Sequence, residues 1–271
     1  EKGDLFCCIV GMISDGHEYA GQAVKSGAAA LLVQKKLPID IPQVIVPDTR
    51  VAMAEIAAAY YDFPASELKI IGVTGTNGKT TTTHMLKSIA EQAGLKVGLI
   101  GTIRNMIGDN SLNTERTTPE SVDLQAILRQ MKNESVDLVV MEVSSHSLVQ
   151  SRVQGVEFEV GVFTNLTQDH LDYHKTFENY IDAKRQLFAQ SKRAVVNMDD
   201  HYTNKIIEGF NIPVTTFGIR SKAAVTASEI DITARGVQYD MHTSSGSACI
   251  FPYPDCSVCL IPWAQPRLLL K

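Results

Sequence analysis

The chain has 271 residues, 44% of them hydrophobic and 20% charged, with a formal net charge of −5. This is ordinary for a globular protein with room for two domains, and the negative balance argues against an extended nucleic-acid surface. No apolar run approaches the ~18 residues of a membrane span, and the opening residues carry no signal-peptide pattern, so a cytoplasmic protein without membrane or nucleic-acid partners is expected. A monomer is expected as well, although no feature of the sequence reads the oligomeric state.

In chain order, residues 5–12 read as a buried strand, 17–26 as a helix, and 28–33 and 44–46 as two further strands. Asp48 is placed to cap a helix over 49–59. Together these form a small N-terminal α/β domain over 1–66, in which Asp15-Gly16-His17 reads as a turn. Pro64 stops the preceding helix and marks a boundary. A central α/β domain is expected over 67–242. There, strands at 70–74, 97–101, 138–143, 160–164, 194–197 and 214–218 alternate with helices at 80–93, 120–132 and 177–188. Near-continuous apolar strands alternating with helices predict a mostly parallel sheet covered on both faces, with ligands beyond the carboxyl ends of its strands. The five cysteines fall into two clusters and read as reduced thiols; Cys256 and Cys259 lack the second pair that a zinc site would need.

Residues 70–83, IIGVTGTNGKTTTT, carry the strongest local signal. A buried strand stops at a glycine turn, and a helix opens at once, which is the context of a phosphate-binding loop. Gly75 and Gly78 let the backbone approach a polyphosphate, while free N–H groups at the helix start face the anion. Lys79 supplies a point charge, and the Thr80 hydroxyl is placed for magnesium. The strict spacing would put glycine at Val73; here the glycines are Gly72, Gly75 and Gly78.

Other strand exits add chemistry. Glu142 closes an apolar strand, where an unpaired carboxylate is costly; a metal ion or a hydrogen-bonded partner would relieve it. Residues 164–174 hold carboxylates and imidazoles, including His170, at a density that suits a hard cation with one nitrogen ligand. Thr117 and Thr118 can cap the helix that follows. Lys184, by its own pattern, reads as a helix lysine on a solvated face.

Taken together, GVTGTNGKTT, ERTTPES, VMEVSSHSLVQSRV and NLTQDHLDYH followed by YIDAKRQLF resemble the Mur ligase family over roughly residues 3–240. The branch they resemble most adds the third amino acid to UDP-N-acetylmuramoyl-L-alanyl-D-glutamate in peptidoglycan precursor synthesis. The resemblance implies that Gly75, Thr76, Asn77, Gly78, Lys79, Thr80, Thr81 and Asn165 bind ATP. It implies magnesium at Thr80, Glu142 and His170, with Thr117, Thr118, Ser144, Gln150 and Arg152 on the sugar-nucleotide peptide. Catalytic roles fall to Lys79, His170 and Lys184, the last as a carbamate. The implied partners are ATP, magnesium, that sugar-nucleotide peptide and a diamino acid, meso-diaminopimelate rather than lysine. A folylpolyglutamate-synthetase-like ligase and a non-catalytic ATP-binding fragment are the alternatives.

The family's opening Asp-Ser-Arg segment and its C-terminal domain, which closes over ATP and selects the amino acid, are expected to be missing. A truncated, poorly active form is therefore expected. Residues 243–271 read as an atypical tail with three cysteines, four prolines and the only tryptophan, from a reading-frame change or a lineage-specific terminus.

Overall fold

The computed structural model describes residues 2–11, 13–112, 116–169, 171–233 and 236–250. The expectations resting on His170, and on Cys256 and Cys259 of the tail, lie outside these residues. Two sheets organise the fold.

The first sheet is parallel, with β1 (Leu5–Cys7), β2 (Ala30–Val33) and β3 (Gln43–Ile45) in that order. The helix expected over 17–26 divides into a 3-10 turn, Gly16–Tyr19, and α1 (Ala20–Lys25). Asp15 forces the division by accepting the His17 N–H at 3.0 Å, which starts a tight turn. The second helix, α2 (Thr49–Tyr60), is capped by Asp48, whose Oδ1 accepts from Arg50 N at 2.7 Å and Val51 N at 3.2 Å. Cys8 is buried with Ala20, Leu31 and Val33. Burial pushes the Cys7 thiol up to about 11 and raises that of Cys8, so both stay protonated and unreactive near neutrality.

The second sheet has eleven strands. Its elements are β4 (Lys69–Thr74), α3 (Lys79–Gln92), β5 (Val97–Ile100), β6 (Asn105–Ile107), β7 (Asn110–Leu112), α4 (Ser121–Asn133), β8 (Leu138–Glu142), α5 (Ser145–Val149), β9 (Val160–Phe163), α6 (Leu171–His174), α7 (Phe177–Ala189), β10 (Ala194–Asn197), α8 (Thr203–Ile207), β11 (Val214–Gly218), β12 (Val225–Thr233), β13 (Gly236–Thr243) and β14 (Gly246–Ile250). The strand order is β14-β13-β12-β11-β10-β9-β4-β8-β5-β6-β7. From β12 through β5 the neighbours are parallel; the edge pairs β12–β13, β13–β14, β5–β6 and β6–β7 are antiparallel.

Side chains alternate across β4: Ile70 joins the core with Leu124, Met131 and Phe163, while Ile71 and Val73 join the opposite face with Ala90, Val140 and Val162. The chain runs from β4 outward to β5 on one side and later from β9 outward to β10 on the other, so β4 and β9 flank the switch point where a crevice opens. Three hairpin pairings were not expected: β6–β7, β12–β13 and β13–β14, the last reaching into the tail that begins at residue 243. No helix among the described residues is long and apolar enough to cross a membrane.

Candidate nucleotide and substrate site

The loop after β4 sits against the loop after β9, across the switch point. Gly75 has φ +151, and a Cβ there would lie 1.9 Å from Thr164 Oγ1, so only glycine fits. Asn165 staples the loop: its carbonyl accepts from Thr76 N at 2.9 Å, its Oδ1 from Asn77 N at 3.0 Å, and its Nδ2 donates to Asn77 O at 3.1 Å. Thr164 Oγ1 donates to Asn77 O at 2.7 Å. Gly78, at φ +84, is the N-cap of α3 and offers no side-chain cap, which leaves the first N–H groups of that helix available to an anion. Thr81 lies exposed in the same turn. Lys79 Nζ folds back on the carbonyls of Gly75 and Thr76, at 2.9 Å each. Burial lowers its pKa, with Glu142 and Asp169 opposing.

Glu142 is 1% exposed and fully engaged. Its Oε2 accepts from Thr80 Oγ1 and Thr102 Oγ1, each at 3.0 Å, and its Oε1 accepts from Thr102 N at 2.9 Å. Its main-chain oxygen accepts from Thr118 Oγ1 at 2.9 Å. Thr118 therefore does not cap α4, and neither does Thr117, whose Oγ1 lies 3.0 Å from Thr102 Oγ1. The cap position of α4 is Glu120, which makes no side-chain capping bond. The threonine pair is held instead by the ends of β5 and β8.

Arg152, 7% exposed, donates to Thr118 O at 3.0 Å and to Gln150 Oε1 at 3.0 Å through its Nε, and pairs with Glu120 at 3.0 Å. Burial lowers its pKa, Glu120 opposes this, and Arg116 and Arg50 add to it. Ser144 caps α5 through Ser147 N at 3.1 Å and approaches Thr118. Gln150 Nε2 donates to the Tyr173 hydroxyl at 3.1 Å.

Lys184 overturns its reading as a solvated side chain. It is 1% exposed on the inner face of α7, with Nζ 4.5 Å from the centroid of the Tyr180 ring. Burial pulls its pKa well down, and the Lys79 charge adds to this, against Asp169. Tyr180 in turn meets Thr76 Oγ1 at 3.1 Å. The structure thus brings Lys79, Thr80, Glu142, Thr117, Thr118, Ser144, Gln150, Arg152, Asn165 and Lys184 around one crevice. Asp169, from the carboxylate-bearing stretch 164–174, belongs to it as well, and so do Thr102, Glu120 and Tyr180, which were missed. Thr102 had a legible signal, since it follows the strand that ends at Ile100, as the other site residues follow theirs.

A glycine loop at the switch point of a parallel sheet, with a lysine, a hydroxyl and a buried carboxylate converging on it, defines a nucleotide-binding α/β protein of the phosphate-loop class. The profile of the Mur ligase middle domain matches residues 73–254, and the chain belongs to the Mur ligase family. UDP-N-acetylmuramoyl-L-alanyl-D-glutamate–2,6-diaminopimelate ligase 1 of Clostridium acetobutylicum is 51% identical over 244 residues, covering 89% of this chain and 50% of the relative. The ligase of that activity from Geobacillus thermodenitrificans is 48% identical, covering 92% of this chain and 53% of its own length. A solved structure of such a diaminopimelate ligase superposes with a TM-score of 0.81 at 28% identity, covering 93% of this chain and 53% of the other. The chain spans about half the length of the curated relatives it matches.

Proposed function

We propose that the chain carries the ATP side and the acceptor-carboxylate side of an amide ligase that joins meso-diaminopimelate to UDP-N-acetylmuramoyl-L-alanyl-D-glutamate. The observation that carries this reading is the position of Glu142. Its carboxylate meets Thr80 of the phosphate loop, while its carbonyl is held by Thr118 of the substrate set. One residue thus joins the two halves of a phosphoryl-transfer site.

Magnesium fits the donors present, because a buried carboxylate and a threonine hydroxyl 3.0 Å apart are hard oxygen ligands. Thr80 and Glu142 would hold it, with His170 the expected ligand of a second ion, and bound magnesium would neutralise charge on the ATP phosphates. Lys79 would leave the Gly75 and Thr76 carbonyls for the outer phosphates, and the α3 N–H groups would hold the rest. Arg152, Gln150, Ser144, Thr117 and Thr118 would orient the D-glutamyl carboxylate for attack on the γ-phosphorus. A carboxylate oxygen bonds to phosphorus as ADP leaves. The incoming amine then attacks the acyl carbon, phosphate departs with the C–O electrons, and the amine gives up a proton.

Lys184 would act as a carbamate. Its lowered pKa favours the neutral amine, which adds to carbon dioxide with loss of a proton and turns a cation beside Lys79 into an anion. Domain limits at 66 and 242, a monomeric state and a cytoplasmic setting complete the reading.

Thermal shift tests it. Separate stabilisation by ATP–magnesium and by the sugar-nucleotide peptide is expected, with Lys79→Ala abolishing the first and sparing the second. A response to ATP alone would reduce the chain to a nucleotide-binding module.

A further inference from the structure

Thr74 ends β4 at 0% exposure, and its Oγ1 has no hydrogen-bond partner among the described residues. The side chains before it, Ile70, Ile71 and Val73, are apolar and buried. Valine would match threonine in shape, suit a strand as well and leave no hydroxyl unmet. The hydroxyl therefore calls for a partner that the bare chain does not supply. Its surroundings follow from the pleat. Thr74 shares a face of β4 with Ile70 and Gly72. It pairs in register with Phe163 of β9, which joins the core with Tyr180, Ile181 and Leu187 of α7. A Cβ on Gly72 would lie 2.9 Å from Leu187 Cδ1, so α7 lies directly over this face. Because α7 connects the parallel strands β9 and β10, it runs against their direction. A step from Gly72 to Thr74, about 6.6 Å along the strand, is thus matched by a step back from Leu187 to Lys184, about 4.5 Å along the helix.

Two buried polar groups therefore face each other, the Thr74 hydroxyl and the Lys184 amine, and neither has a hydrogen-bond partner among the described residues. They do not reach one another. Addition of carbon dioxide to the amine would lengthen that side chain by about 2 Å and end it in two acceptor oxygens. In that step the nitrogen lone pair forms an N–C bond, one C=O π pair moves to oxygen, and the amine proton passes to water. We propose that the Thr74 hydroxyl is a positioning group for the Lys184 side chain, donating its proton to one oxygen of the carbamate. The carbamate is the one proposed above for Lys184, and the role of Thr74 rests on it. The Thr74 carbonyl accepts from Thr164 N at 3.0 Å, so the donor is fixed where the phosphate loop begins. One residue then ties the new anion to the loop that carries Lys79 and holds it at a set place beside that cation.

Carbon-13 NMR of the whole chain in labelled bicarbonate tests this, through the concentration that half-fills the carbamate signal. The native chain is expected to show the signal and Lys184→Met to lack it. Thr74→Val is expected to need about tenfold more bicarbonate, as for loss of a hydrogen bond to an anion, and Thr74→Ser to stay within about threefold of the native chain. Urea unfolding in bicarbonate-free buffer separates this from a structural role. There Thr74→Val should be at least as stable as the native chain, because only an unmet hydroxyl is lost. A carbamate that half-fills at the same concentration in Thr74→Val overturns the role of the hydroxyl and leaves the carbamate standing. Thr74→Ser as weak as Thr74→Val does the same, since shape alone would then matter. Lower stability of Thr74→Val without bicarbonate, or its failure to fold, also overturns the role, since the hydroxyl would already have a partner. No signal on the native chain, or one that survives in Lys184→Met, overturns the carbamate and the role of Thr74 with it.

Discussion

His17 and Lys184 are both buried ionisable side chains, and the fold treats them in opposite ways. His17, 7% exposed, has both ring nitrogens engaged: Nδ1 lies 2.5 Å from Asp15 Oδ1, and Nε2 accepts from Gln34 N at 2.9 Å. Every polar atom is matched within the small N-terminal unit, and nothing is left over to do chemistry. Lys184 is buried more deeply, yet its ammonium has no ion-pair or hydrogen-bond partner among the described residues. It rests on the Tyr180 ring and feels the like charge of Lys79. A satisfied buried group is part of the scaffold; an unsatisfied one raises the free energy of the fold and persists only where function needs it.

The comparison predicts opposite signs. His17→Ala removes a donor–acceptor pair on both sides and strands the Gln34 amide, so it is expected to cost about 3 kcal/mol in urea unfolding while ATP affinity is unchanged. A drop in ATP affinity would show that the N-terminal unit is more than scaffold and would break the contrast.

Lys184→Met, of similar length, removes an uncompensated buried cation and is expected to stabilise the chain by about 2 kcal/mol at neutral pH. The pH dependence sharpens this. The folded pKa lies below the unfolded one, so between the two the unfolded chain holds the extra proton and native stability rises with pH. The advantage of the substitution should therefore be full at low pH and fade toward about pH 10.4, the ordinary lysine value. Added bicarbonate should stabilise the native chain and leave Lys184→Met unmoved; equal responses would remove the case for a carbamate.

The physical reasons for what the sequence did and did not reveal are visible in the same residues. The phosphate loop was legible because Gly75 and Gly78 are backbone requirements that few other residues could meet, and Glu142 because an anion inside an apolar strand must be answered by something nearby. Lys184 was misread because residue type was weighed above position. Tyr180, Ile181, Leu187 and Phe188 mark the buried face of α7, and Lys184 falls within it, four residues after Tyr180 and three before Leu187. The local reading of the threonine pair was a cap for the helix beside it, whereas Thr118 bonds to Glu142, 24 residues away. Helix capping is a local rule, and it lost to a tertiary contact. The strands β7 and β12 were missed because they bury little: Ile232 of β12 is 76% exposed, so alternation carries no core signal there. β6 is buried, but three residues are too few to show a period.

The smallest expected effect tests how far the matched side of the contrast is electrostatic. The His17 backbone N–H, the His17 ring and the Lys35 ammonium at 3.8 Å hold the Asp15 carboxyl below its usual range. A carboxyl depressed in the folded state adds stability above its unfolded value, and this is lost as pH falls through the folded one. Asp15→Asn keeps an oxygen that can accept from His17 N and loses only the charge. Its urea midpoint should lie slightly below that of the native chain at pH 7, and the two should converge as pH falls from the ordinary aspartate value of about 4 through the lower folded one. The difference should be small because the Asp15 side chain is 31% exposed and Lys35 more so, and water screens the pair. A gap that persists unchanged into acid would mean that the shape of the turn, not its charge, holds His17 in place.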